Sequence, residues 1–182
     1  MRATTVAALL TVVVTASTAA QDLDERAAAE RHANDAIALC AIADELPPEA
    51  RLPVLARGLA IAESAVDLDD RSAHAHYAIV CNLGKATGLA GVGLGTWRMV
   101  SRLRREIEAT LALAPDDPEA LAAKGALLVK LPRWLGGDPD EAQRWLRRAL
   151  TVDPTNATAR AYLEQLGDAE PQVAPALDPV VR

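Results

Sequence analysis

The side chains best equipped for chemistry are few and scattered. Cys40 and Cys81 are the only cysteines, and His32, His74 and His76 the only histidines, in a chain of 182 residues. His74 and His76 stand two apart, so on a helix they point in different directions and do not readily share a metal. No cysteine and histidine cluster has zinc spacing. Acidic side chains gather at Asp67, Asp69 and Asp70 and again at Asp116 and Asp117. Neither run follows the glycine-bearing calcium-loop pattern, so both read as turn and capping residues. No serine lies in a Gly-x-Ser-x-Gly elbow. The chain therefore reads as non-enzymatic, with no metal or cofactor. An enzyme would need His32, His76 and acids gathered in one cleft.

Two irregular stretches point to binding instead. In GKATGLAGVGLG, Gly84 to Gly95, five glycines in twelve residues disfavour a regular helix and predict a loop. The segment lacks the preceding strand and the Gly-Lys-Ser/Thr ending of a phosphate loop. Its Leu89, Val92 and Leu94 are candidates to line a ligand pocket or partner surface. The second stretch is Leu131-Pro132-Arg133-Trp134-Leu135-Gly136-Gly137-Asp138. A tryptophan in an extended, glycine-terminated loop either packs on its own stack or meets a partner, and Arg133 beside it supplies a directional contact. Arg133 and Trp134 complete the candidate binding set.

The elements that must position these residues read as helices. From Asp24 to Leu46 there is no glycine or proline, and Ala33, Ala36, Ile37, Cys40 and Ala43 share one helical stripe. Pro47 and Pro48 close it. A second helix is expected from about Pro53 to Leu68. A third, capped by Ser72, runs to Gly84. Thr96 caps a fourth, with Val100, Leu103, Ile107 and Leu111 inward and Pro115 and Pro118 at its end. A further helix spans Ala157 to Leu166, and Gly167 stops it.

One junction recurs. AVDLDDRSAHA from Ala65, TLALAPDDPEA from Thr110 and ALTVDPTNATA from Ala149 each join a helix end, an acidic turn and a new alanine-rich helix. Near-even spacing of three copies marks a repeat protein. The unit from Pro118 to Pro154 is the fullest: Gly125 and Ala142 are small enough for two helices to cross closely, and Pro154 stops the second. It resembles a tetratricopeptide repeat, Gly125 falling on the motif's eighth position and Ala142 and Ala149 on its two alanines, with LPRWL inserted between the halves. The resemblance implies an all-α stack of about three helix pairs, an α-solenoid, closed by a C-terminal capping helix. The phrase LP-RW-LGGD, followed by an alanine-centred helix and Asp-Pro, is similar to the periplasmic T component associated with tripartite ATP-independent transporters. That similarity implies a non-enzymatic scaffold working beside an extracytoplasmic solute-binding protein, or a carrier with a pocket for a small apolar ligand.

Composition agrees with an exported helical protein. Half the residues are apolar, phenylalanine is absent and aromatics make up 3%, which favours close-packed helices over a β-sandwich. Residues 1–20 carry Arg2, an apolar run from Val6 to Val14 and small residues to Ala20, the pattern of a secretory signal peptide. Its apolar run is too short to span a bilayer, so no stable membrane insertion is expected after cleavage. Loss of Arg2 leaves 18 basic against 25 acidic side chains, a balance that disfavours nucleic acid. The expected organisation is a leader at 1–20, a repeat domain at 21–167 and a proline-rich disordered tail at 168–182, with the mature chain periplasmic or secreted. In such a compartment Cys40 and Cys81, on first helices of neighbouring units, form a disulfide or remain two small buried thiols. Sequence does not choose between them.

Overall fold

The computed structural model describes residues 4–90 and 96–167, with side chains from residue 20 onward. Its helices are α1 (Thr4–Ile42), α2 (Pro48–Leu68), α3 (Ala73–Ala90), α4 (Thr96–Leu113), α5 (Pro118–Lys130), α6 (Pro139–Val152) and α7 (Ala157–Gln165), with a single 3-10 turn at Arg133–Leu135. Among the described residues there is no strand. Helices α1 and α2, α3 and α4, and α5 and α6 pack as successive hairpins, and α7 closes the stack against both α5 and α6. No described helix is long and apolar enough to cross a membrane.

The repeated junction of the sequence is one turn built three times. Amides of Asp69, Ala114 and Asp153 bond back to the carbonyls of Ala65, Thr110 and Ala149, ending α2, α4 and α6. Three residues later Ser72, Asp117 and Asn156 each accept the amide of the residue three further on, Ala75, Ala120 and Ala159. Such a cap contributes about 1 kcal/mol by satisfying an amide that the first helical turn cannot. Two of the caps are themselves held from the first helix of the preceding hairpin. Glu30 on α1 accepts from Ser72, and Glu119 on α5 from Asn156.

Small side chains set the helix spacing. Ala29, Ala33, Ala36 and Cys40 form a fully buried stripe on α1, continued by buried Ala43 just past its end, which lets α2 and α3 approach closely. Gly58 on α2 lies directly under the Asn82 amide of α3: a Cβ there would stand 2.1 Å from Asn82 Oδ1. Asn82 is wholly buried and donates to the carbonyls of Ala36 and Ala78, both at 2.9 Å. In the third pair Gly125 meets Leu146, and a Cβ would come within 2.5 Å of Leu146 Cγ. The close crossing expected at Gly125 and Ala142 is thus present, with Ala142 fully buried. One core joins α1 to α4, a second joins α5 to α7, and Leu111 touches both.

Four expected boundaries differ. Helix α1 ends at Ile42 rather than Leu46, and α2 begins at Pro48 with Pro53 inside it. Pro48 fills a first-turn position where no amide is needed, and Arg51 ties the new helix to the carbonyls of Leu46 and Asp44. Helix α3 does not stop at Gly84 but runs through Gly84 and Gly88 to Ala90, so that part of the expected loop is helical. Tertiary contacts outweigh the roughly 1 kcal/mol helical cost of each glycine. Gly84 lies against Leu103, and Lys85 anchors α3 to α1 through the Cys40 carbonyl and Asp44. At the other end α1 extends unbroken from Thr4 through the expected cleavage region. The expected tail, 168–182, lies outside the described residues.

Candidate functional site

The first-position helices α3 and α5 touch only sparsely, and the space between them is a groove of about 480 Å³. Its walls come from α3, α5 and α7, and its floor from Val100, Leu103 and Ile107 of α4. Those three were expected to face inward, and they do: all are buried, Leu103 and Ile107 within the core shared with α3, and their remaining surface borders the groove. At one end Tyr77 donates to Glu119 at 3.3 Å, and Asn156 donates to the other Glu119 oxygen at 3.0 Å. Burial, and then the Glu119 charge, push the Tyr77 phenol well above its ordinary range, so it is a neutral donor. At the other end stand Lys85, Gly88 and Lys130. The Lys130 ammonium lies 5.6 Å from the Tyr162 ring centre and 3.7 Å from where a Cβ on Gly88 would be.

The second feature is the turn between α5 and α6. Leu135 and Gly137 amides donate to the Pro132 carbonyl, Gly136 to Arg133, and Asp138 to Leu128. Gly136 has φ of 86°, a left-handed conformation that suits glycine, and a Cβ on Gly137 would stand 1.7 Å from the Leu131 oxygen. Arg104 of α4 reaches over to donate to the Leu135 carbonyl. Asp138 then caps α6 by accepting from Asp140 and Glu141 amides. A turn this fully bonded has a fixed shape, and it holds Trp134 out to solvent, 81% exposed.

Of the sequence candidates, Arg133 and Trp134 are exposed on this turn, and Leu89 is exposed at the end of α3, one residue past groove-lining Gly88. None of these three lines the groove itself. Val92 and Leu94 lie outside the described residues. Tyr77, Lys130 and Tyr162 line the groove but were not singled out by sequence. The one signal they left is a charge, Lys130, closing the otherwise apolar run ALLVK.

Cys40 and Cys81 are joined by a disulfide with their Cα atoms 6.1 Å apart, tying α1 to α3 beside the groove wall. The histidines go to three separate helix contacts. His32 pairs with Ser64 at 3.1 Å, His74 with Glu30 at 2.9 Å, and His76 with Glu106 at 2.8 Å and the Asp70 carbonyl at 3.0 Å. Hydrogen bonding to Glu106, against the opposing effect of burial, raises the His76 pKa above its ordinary value. The same bond holds Glu106 below the usual carboxylate range, and Arg102, also paired with Glu63, adds to it. Among the described residues no group of three or more His, Cys, Asp or Glu side chains could hold a metal.

No family model matches the chain, and no curated protein matches it significantly. Among solved structures it is similar to the TPR domain of Arabidopsis OM64, at 14% identity and a TM-score of 0.56, over 79% of this chain and 97% of that one. Identity that low carries the fold alone. With the thrice-repeated junction and the hairpin stack, it makes this chain an all-α tetratricopeptide-type helical repeat.

Proposed function

We propose that the chain is an exported, non-enzymatic scaffold that docks on a partner protein through the turn bearing Arg133 and Trp134. The observation that carries this reading is the contrast between the turn's rigidity and the exposure of its tryptophan. Folding gains little from an indole 81% in water, yet two positionally demanding glycines and a set of backbone bonds fix it there. Tryptophan and arginine on a pre-organised loop are the usual anchors of protein interfaces. Leu89 and Trp97, 44% and 57% exposed, add apolar surface at the ends of α3 and α4. Export rests on the leader pattern of residues 1–20. The partner class that the LP-RW-LGGD resemblance suggests is an extracytoplasmic solute-binding protein.

The test compares gently purified mature protein with Trp134→Ala and with Val152→Ala, an exposed apolar control at the end of α6. The reading expects the co-purifying protein to be lost with Trp134→Ala and kept with Val152→Ala. Retention by both removes the turn from the interface.

A second reading is favoured by the groove. Its volume of about 480 Å³ and its apolar floor suit a small apolar ligand, which would make the chain a carrier.

A further inference from the structure

The groove is apolar along its floor but not electrically neutral along its length. Three charged side chains line it, and two are already engaged. Lys85 donates to the Cys40 carbonyl at 2.9 Å and to Asp44 at 2.6 Å. Glu119 accepts from Tyr77 and Asn156. Lys130 has no carboxylate or carbonyl partner among the described residues, only the face of Tyr162. Among the described residues, the groove thus carries one positive charge without an anionic partner at one end and a carboxylate at the other. Gly88 keeps the space beside the Lys130 ammonium open, since a side chain there would stand against the nitrogen.

Resting on the carrier reading, we infer that the groove takes an aliphatic monocarboxylate, its head group on Lys130 and its chain over Val100, Leu103 and Ile107 toward Tyr77. A cationic ligand would face Lys85 and Lys130 at one end. A dicarboxylate would bring its second charge onto Glu119. A neutral chain would leave the Lys130 ammonium unanswered at the edge of a low-dielectric groove, where an opposite charge is attracted more strongly than in bulk water. Length agrees as well. Lys130 and Glu119 stand eleven residues apart on α5, about 16 Å along the axis, the reach of an extended chain of about ten to twelve carbons.

Isothermal titration of the full mature protein with decanoate and with 1-decanol tests this, using wild type and Lys130→Met, which keeps an apolar stem. The inference expects wild type to prefer decanoate and Lys130→Met to weaken decanoate about tenfold while leaving decanol unchanged. Equal affinity for acid and alcohol in wild type overturns the inference and leaves the carrier reading standing. Decanoate binding unaffected by Lys130→Met does the same. Failure of both ligands to bind wild type overturns both. A peptide with an apolar, free C-terminus binding more tightly than decanoate, in a Lys130-dependent way, would replace the small acid with a protein terminus.

Discussion

Both halves of the stack bury alanine, at Ala33, Ala36, Ala62 and Ala65 in α1–α4 and at Ala120, Ala122, Ala142 and Ala149 in α5–α7, but a disulfide joins α1 to α3 in the first, whereas polar ties in the second gather at its turns. In the first half a disulfide, a buried asparagine and the His76, Glu106, Arg102 and Glu63 network each link different helices. In the second, Gly125 receives Leu146, and Trp145 donates to Glu141 and lies under the Lys124 ammonium 4.1 Å from its ring centre. Only eleven residues separate this packed Trp145 from the exposed Trp134. Cross-links accumulate in the first half, the most exposed tryptophan belongs to the second with Trp97 of α4 also 57% exposed, and the groove opens at the seam where α3 and α5 barely meet.

Removing the disulfide should have the largest effect on stability. Cys40 and Cys81 are 41 residues apart, a loop for which chain-entropy arguments give about 4 kcal/mol. The Cys40→Ser, Cys81→Ser double variant should lose roughly 2 to 4 kcal/mol in denaturant unfolding. Amide exchange should quicken first in α1 to α3. Equal quickening in α5 to α7 would mean that the two halves open as one unit. Gly125→Ala probes the second half, where the new methyl would overlap Leu146. Overpacking of this kind costs about 1 to 3 kcal/mol, and exchange should quicken first in α5 and α6. A neutral result would show a crossing looser than the contact distances require.

The His76 network makes the stability of the first half depend on pH. His76 is raised from its ordinary 6.5, so its contribution is full below 6.5 and fades as pH climbs through the raised value. Glu106 is lowered from its ordinary 4.5, so its contribution is full above 4.5 and fades as pH falls through the lowered value. The pair therefore contributes most between 4.5 and 6.5. His76→Gln should cost about 1 kcal/mol near pH 5.5 and clearly less near pH 9. A cost that does not change with pH would assign His76 a packing role only.

The fold was largely legible because its punctuation is chemical. Asp, Pro and Asn at the junctions carry cap and turn geometry wherever they stand, so three copies could be aligned without a structure. Boundaries set by tertiary packing were not. Gly84 and Gly88 read as loop residues because their intrinsic cost is local, while the contacts that overcome it come from Leu103 and from the anchored Lys85. Leu131 to Gly137 read as an extended loop, with the packing or display of Trp134 left open; instead Arg133–Leu135 form a 3-10 turn closed by left-handed Gly136, and Trp134 is exposed. The groove left almost no trace, since it is the separation of two helices rather than a property of either. Val100, Leu103 and Ile107 look the same in sequence whether or not their buried side chains border a groove.

The smallest expected effect is also the most direct test of whether the Trp134 turn serves binding rather than folding: thermal unfolding of Trp134→Ala beside wild type. An indole 81% exposed on a turn closed by its own backbone should be dispensable for stability, so the midpoint should move by no more than about 2 °C. A fall of more than about 5 °C would mean that Trp134 is part of the packed structure and would contradict the account.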